Sequence, residues 1–263
     1  MKYISISQFP GKMGETIFNS AFKKMKIDAT YKAIKKLRLV SLRKFLIKNN
    51  INGSAISMPF KEKVIKYCDY LDKSVRLTNS CNTIILKREK IIGFNTDYLG
   101  IKKLIISKKI PRNIEFYIFG SGGFSRSFYK ALNNLNYPKI YVIGRTIKRF
   151  NSWPRNVGIN KLKRFPNNPS DNVIINATPI GMKQIKKKDF LSKLNLKKTK
   201  YYFECVVSPK NTKNIIIARG KSIKTVYGYE ISIEQALIQF ELYMKKKLSK
   251  FFVKKILKEK IIK

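Results

Sequence analysis

The chain has 263 residues, with 57 Lys and Arg against 15 Asp and Glu, a formal net charge of +42 and no histidine. Hydrophobic residues make up 44% of it, too many for a disordered protein, and no apolar run reaches the length that spans a bilayer. Lysine is spread through every segment, so the charge reads as a compositional bias; no specific nucleic-acid partner and no membrane partner are expected.

Three cysteines, Cys68, Cys81 and Cys205, are odd in number and unclustered, which supports neither a disulfide framework nor a zinc site; no metal is expected. The missing histidines leave proton transfer to lysine, tyrosine, cysteine or a carboxylate. The start of the chain lacks a secretory pattern, so a cytoplasmic location is expected, as a monomer or homodimer. The length suits one large or two modest domains.

In chain order, Tyr3 to Ser7 reads as a strand, Glu15 to Met25 as a helix and Ala29 to Ala33 as a strand. Val40 to Lys48 reads as a helix, and Ala55 to Met58 as a buried strand ending at Pro59. This alternation predicts an α/β unit with a mostly parallel sheet. Asn82 to Leu86 and Ile91 to Gly93 read as a hairpin, and Tyr98 to Ser107 as a connecting helix.

A second unit follows. The apolar run Ile114 to Phe119 breaks into Gly120-Ser121-Gly122-Gly123-Phe124-Ser125-Arg126 and resumes as Ser127 to Leu132: strand, tight turn, helix. Glycines there let the backbone approach a pyrophosphate, and the helix start turns N–H groups and its positive dipole end toward that charge. Ser125 takes the third small position of the fingerprint, and Ile140 to Ile143 reads as the next strand. NAD-binding folds place an acidic residue after that strand; here Gly144-Arg145-Thr146-Ile147-Lys148-Arg149 offers two guanidinium groups, a hydroxyl and no carboxylate. NADP is therefore the expected cofactor. Further strands are Asn172 to Asn176 and Tyr201 to Cys205. Glu230 to Met244 is a helix long enough to return to the first unit, and Tyr243 to Lys263 reads as an amphipathic terminal helix.

With the glycine loop placed, other segments fall into a known order. Ser57-Met58-Pro59-Phe60-Lys61-Glu62 is similar to T-[IV]-P-[FH]-K-E, Cys81-Asn82-Thr83 to V-N-T, and Gly93 to Gly100 to G-x-N-T-D-x-x-G. Gly120 to Arg126 is similar to G-x-G-G-x-x-R, Gly144-Arg145-Thr146 to N-R-T, Asn176 to Met182 to N-A-T-P-x-G-M, and Gly228 to Phe240 to G-x-x-M-L-x-x-Q-A-x-x-x-F. Over nearly its whole length the chain resembles the shikimate dehydrogenase family. The resemblance implies a substrate domain over residues 1–98, completed by 230–263, and a Rossmann-like NADP domain over 99–229. It implies NADPH-dependent reduction of 3-dehydroshikimate to shikimate, a step toward aromatic amino acids.

Residue by residue, the resemblance places the catalytic pair on Lys61 and Asp97, with Lys61 transferring the proton and Asp97 orienting it. Asn82, Gln235 and Ser57 fall on substrate-binding positions. Gly120, Ser121, Gly122, Gly123, Phe124, Gly144, Arg145, Thr146, Arg149, Thr178 and Gly228 fall on cofactor-binding positions. Asn95 and Thr96 either hold the turn before Asp97 or contact substrate. Two departures stand out. Where the family carries S-x-S for the substrate carboxylate, this chain has Lys12 and Gly14, and a tyrosine expected at the D-x-x-Y-x-P segment is Val207. The Lys12 ammonium can substitute for two neutral hydrogen bonds, or the backbone of the Gly11 to Gly14 turn can hold the carboxylate.

Alternatives remain. A quinate or other hydroxylated ring-acid dehydrogenase of the same fold would share these motifs. Tyr-x-x-x-Lys of a short-chain dehydrogenase occurs at Tyr98 to Lys102 and Tyr243 to Lys247, but 14 tyrosines among so many lysines make chance matches expected. A nucleotide-binding protein with weakened catalysis would not need Lys61 and Asp97.

Overall fold

The computed structural model describes residues 1–144, 150–151, 153 and 158–260. The chain divides into two units, residues 1–96 with 235–263, and residues 97–234.

In the first unit, β1 (Lys2–Ser7), β2 (Thr30–Lys35) and β3 (Ile51–Ile56) run parallel with β1 in the centre, Tyr3 lying opposite both Tyr31 and Gly53. The connections are α1 (Met13–Lys24) and α2 (Leu42–Lys48). The buried residues of α1, Ile17, Phe18, Ala21 and Phe22, recur at helical spacing on one stripe, and Phe18 stacks on Tyr31 at 4.6 Å. β4 (Tyr70–Leu71) leads to α3 (Lys73–Thr78), which precedes a hairpin of β5 (Thr83–Lys87) and β6 (Lys90–Phe94). The hairpin turns on Arg88 and Glu89, both at positive φ, the conformation that matches the strand twist. β5 pairs antiparallel with β3, giving the sheet order β2-β1-β3-β5-β6-β4. Ile6, Leu42, Leu46, Phe60, Val64 and Ile84 form the core around α2 and the loop after β3.

Two C-terminal helices contribute to this unit: α7 (Gly228–Met244), from Gln235 onward, and α8 (Lys250–Lys260), which packs on α1. Gly53 permits the α7 approach, because a Cβ there would lie 2.8 Å from the ring of Tyr243, which stacks on Tyr3 at 4.6 Å.

The second unit opens with α4 (Thr96–Lys108), whose first residue belongs to the first unit. Its strands are β7 (Glu115–Phe119), β8 (Ile140–Ile143), β9 (Asn160–Leu162), β10 (Asn172–Asn176), β11 (Thr199–Glu204) and β12 (Lys224–Val226). Every pairing is parallel, in the order β12-β11-β10-β7-β8-β9. Counted from β7, that is the doubly wound order with its switch point between β7 and β10, where ligands bind beyond the strands' carboxyl ends. α5 (Gly123–Asn134) follows β7, and α6 (Lys213–Gly220) joins β11 to β12.

The sequence-derived elements all exist, several with shifted ends. The strand expected over Ala55 to Met58 starts at Ile51 and stops at Ile56, leaving residues 57–59 as an exposed turn. The single terminal helix expected from Tyr243 is divided, because Lys245 takes a positive φ of 54° that ends α7 before α8 begins.

Candidate functional site

In the second unit the glycine loop lies at the switch point. Gly120 has φ 118°, and a Cβ there would lie 2.9 Å from the Ala177 carbonyl oxygen after β10. Only glycine suits that combination of backbone angle and contact. At Gly122, the N-cap of α5, a Cβ would meet nothing within 4 Å, and no side chain caps the helix. The Ser125 hydroxyl, fully buried one turn into α5, has no hydrogen-bond partner. An open space over an uncapped start of a 12-residue helix, with an orphaned buried hydroxyl beside it, fits a dinucleotide pyrophosphate.

Trp153 donates its indole N–H to the Ser121 carbonyl at 3.0 Å, and the Phe150 ring lies 3.0 Å from where a Gly144 Cβ would be. These aromatic residues pin the loop from beyond β8. Arg145, Thr146 and Arg149, the expected phosphate contacts, lie outside the described residues.

Thr178 is fixed by Asn176, whose Oδ1 accepts its N–H at 3.1 Å and its hydroxyl at 2.6 Å. Asn176 in turn donates to Glu204 Oε1 at 2.8 Å. The Glu204 carboxylate also accepts from the Val206 N–H, the Tyr202 hydroxyl and the Thr212 hydroxyl. Burial pushes its pKa up, and these donors pull against that rise. Gly228 sits against the segment after β11: a Cβ would lie 2.3 Å from the Val206 carbonyl oxygen and 3.0 Å from the Val207 nitrogen. Glu230 accepts the Tyr227 N–H at 3.0 Å and pairs with Lys108 at 2.8 Å, fixing the start of α7. Asp97 is buried in the first turn of α4.

In the first unit a polar cluster forms around Asn82. Its Oδ1 accepts the Thr96 N–H at 2.7 Å, its Nδ2 donates to the Thr96 hydroxyl at 2.9 Å, and Gln235 Oε1 lies 3.2 Å from that hydroxyl. Gln239, one turn further along α7, donates to the Thr83 hydroxyl at 2.7 Å. Asn95 is held by α3: its N–H donates to the Ser74 hydroxyl and its Nδ2 to the Thr78 hydroxyl, at 2.9 and 2.7 Å. Asn95 and Thr96 thus hold the turn before Asp97.

Lys61 is half-buried on the loop after β3, anchored by Phe60 and Val64, and its carbonyl accepts the Cys81 N–H at 2.8 Å. Ser57 is exposed at the head of that loop. Lys12 is exposed at the N-cap of α1, and a Gly14 Cβ would lie 3.3 Å from the Tyr31 hydroxyl. Burial raises the Tyr31 pKa, opposed by its hydrogen bond with Ser5, so the phenol stays a neutral donor.

The sequence named Asn82 and Gln235 as substrate-binding candidates, and the structure places them beside Thr96; their supports were not named. Gln239 was legible as the residue four after Gln235 on a helix. Glu204, the α3 hydroxyls and Trp153 had no local pattern to mark them.

A doubly wound parallel unit with a glycine-turned helix start, in one chain with an α/β unit carrying a partly buried Asn-Thr-Gln cluster, defines a dinucleotide-binding protein of two-domain dehydrogenase type. The family model described as the shikimate dehydrogenase substrate binding domain matches residues 13–84. A shikimate dehydrogenase-like protein of Haemophilus influenzae is 29% identical over 242 residues, 91% of this chain and 89% of that protein. A shikimate dehydrogenase (NADP(+)) of Clostridium perfringens is 29% identical over 258 residues, 92% of each chain. The solved structure of a shikimate 5-dehydrogenase-like protein superposes with a TM-score of 0.84 at 28% identity, over 97% of this chain and 96% of that one. Along nearly its whole length the chain is thus similar to shikimate dehydrogenases in sequence and in fold.

Proposed function

We propose that the chain catalyses the reversible, NADP(H)-dependent interconversion of 3-dehydroshikimate and shikimate. Residues 1–98 with 230–263 bind the ring acid, and residues 99–229 bind the cofactor. The observation that carries this reading is the Asn82–Thr96–Gln235 cluster, with Asn82 and Thr96 buried and Gln235 half-buried, in the same unit as Lys61. Asn82 is held rigid by the Thr96 backbone, and Gln235 spends only its Oε1 on the cluster, so its amide nitrogen faces a hydroxylated substrate as a donor.

NADPH, when bound, supplies the hydride. Gly120, Gly122 and Gly123 accommodate its pyrophosphate at the start of α5, and Arg145 and Arg149 serve the 2′-phosphate. Lys61 would transfer the proton to or from the substrate oxygen, and Asp97 would orient it. The Clostridium relative's name supports the substrate and cofactor.

A second reading, another hydroxylated ring acid such as quinate, is favoured by one observation: Lys12 and Gly14 stand where the family has two serines, with the Tyr31 hydroxyl under Gly14. The test is NADP reduction by the purified protein with shikimate, quinate and a carboxylate-free analogue in parallel, repeated with NAD. Shikimate with NADP is expected to be preferred; quinate preference would replace the first reading with the second, and no turnover would overturn both. Arg145→Ala should weaken NADP by about 1 to 3 kcal/mol and leave NAD unchanged.

A further inference from the structure

Gly93, in β6, has Leu71 of β4 on one side and Ile84 of β5 on the other. Two sulfurs crowd over it: a Cβ at Gly93 would lie 3.0 Å from Cys68 Sγ and 3.1 Å from Cys81 Sγ. Each thiol donates to a backbone carbonyl, Cys68 to Val64 at 3.5 Å and Cys81 to Thr83 at 3.4 Å. A side chain at position 93 would wedge between them, and glycine leaves that space empty. Cys68 is half-buried and within reach of a small solute, whereas Cys81 is fully buried.

We propose that Cys68 and Cys81 form a redox-responsive dithiol that hydrogen peroxide converts to a disulfide, lowering the activity proposed above, on which the kinetic half of this inference rests. Cys68, as thiolate, attacks a peroxide oxygen; the O–O bond breaks, the leaving hydroxide takes up a proton as water, and Cys68 becomes a sulfenic acid. The Cys81 sulfur then attacks the Cys68 sulfur. The S–S bond forms, the S–O bond breaks, and the hydroxyl leaves with the Cys81 proton as a second water. Two thiols lose two electrons and one peroxide gains them. The order of attack follows from the environment: the neighbouring Cys81 thiol lowers the Cys68 pKa, while the neighbouring Cys68 and burial raise that of Cys81.

The link to activity is the Cys81 backbone. Its N–H holds the Lys61 carbonyl at 2.8 Å, its thiol donates to the Thr83 carbonyl at 3.4 Å, and the next residue is Asn82. Closing the sulfurs to the bonded distance of about 2.05 Å would draw Cys81 Sγ off Thr83 and strain the Cys81 backbone, which holds the Lys61 carbonyl on one side and leads into Asn82 on the other.

The test treats the reduced full-length protein with a small excess of hydrogen peroxide and follows intact mass, free thiols and turnover together. The expected result is loss of two hydrogens, a thiol count falling from three to one, a Cys68–Cys81 cross-linked peptide, and reversal by dithiothreitol. kcat/KM should fall by about 10- to 100-fold, the cost of misplacing a positioning group, and recover on reduction. Cys205→Ser should respond like the wild type, and Cys68→Ser should neither cross-link nor lose activity reversibly. Mass and thiol count need no substrate, so they decide the cross-link even if the dehydrogenase reading fails. Absence of the cross-linked peptide overturns the proposal, as does reversible inactivation of Cys68→Ser equal to that of the wild type.

Discussion

Asn82 and Gln235 are 153 residues apart in the chain, and Asn82 Nδ2 lies 3.5 Å from Gln235 Oε1, with the Thr96 hydroxyl nearer to both. The pair joins the sheet of the first unit to the returning helix α7. Their duties differ, because Asn82 also satisfies the buried Thr96 N–H. Asn82→Ala should therefore cost about 1 to 3 kcal/mol of stability along with turnover. Gln235→Ala, which orphans no buried backbone group, should mainly raise the Michaelis constant of the ring acid at near-normal melting temperature. Equal stability losses in the two variants would contradict this division.

Lys61→Ala and Asp97→Asn should each lower turnover by about 100-fold or more with NADP affinity unchanged, since general acid/base catalysis contributes roughly 10²–10⁴. The double variant should be little worse than the singles if both residues serve the one proton transfer proposed above. Steady-state kinetics with cofactor titration by fluorescence checks both statements. Near-normal turnover in either single variant removes that residue from the mechanism.

Lys12 and Gly14 separate two ways of holding a carboxylate. If the Lys12 ammonium is the anchor, Lys12→Met should raise the Michaelis constant for shikimate far more than it lowers turnover, because a contact remote from the reacting oxygen binds ground and transition states alike. The effect should shrink for a carboxylate-free analogue. An unchanged Michaelis constant would assign the carboxylate to the backbone N–H groups of the turn.

Elements carried by local pattern were legible in the sequence. β10 and β8 fall on Asn172–Asn176 and Ile140–Ile143 as read, because a fully buried parallel strand is a short continuous apolar run between turns. β12, of three residues, and α3, of six, were not read, because too few residues repeat for a period to show. The same limit hid part of the site. Asn82, Gln235 and the glycines sit in motifs, whereas Glu204 acts through four donors supplied by Asn176, Tyr202, Val206 and Thr212, a convergence that exists only after β10 and β11 have paired.

Two glycines of the second unit should behave oppositely on substitution. At Gly228 a Cβ would lie 2.3 Å from a carbonyl oxygen and 2.6 Å from its carbon, backbone atoms that cannot swing aside. Gly228→Ala should therefore destabilise the apoprotein by at least about 2 kcal/mol. At Gly122 the space is open, and Ala at the N-cap should cost no more than about 1 kcal/mol. Gly122→Ala should instead weaken NADP, since its methyl occupies the space proposed for the pyrophosphate. Thermal melts without cofactor and a binding titration separate the two; a stable Gly228→Ala would break the packing argument.

Glu204 should write itself into the pH dependence of stability. Burial raises its pKa in the folded protein above the unfolded value, so the native state keeps a proton that the unfolded chain has released. Stability is then fully present below the unfolded pKa and falls as pH rises from there through the folded value, levelling off above it. Glu204→Gln removes this slope. Its Oε1 can still accept from Asn176 and Val206, while the Tyr202 and Thr212 hydroxyls can turn to accept from the new amide. Urea midpoints measured across the acid-to-neutral range should show the variant gaining on the wild type as pH rises; parallel curves would contradict the raised pKa. Glu204→Ala, which strips all four donors of their acceptor, should lose about 3 kcal/mol or more and release Thr178 from its fixed position through Asn176.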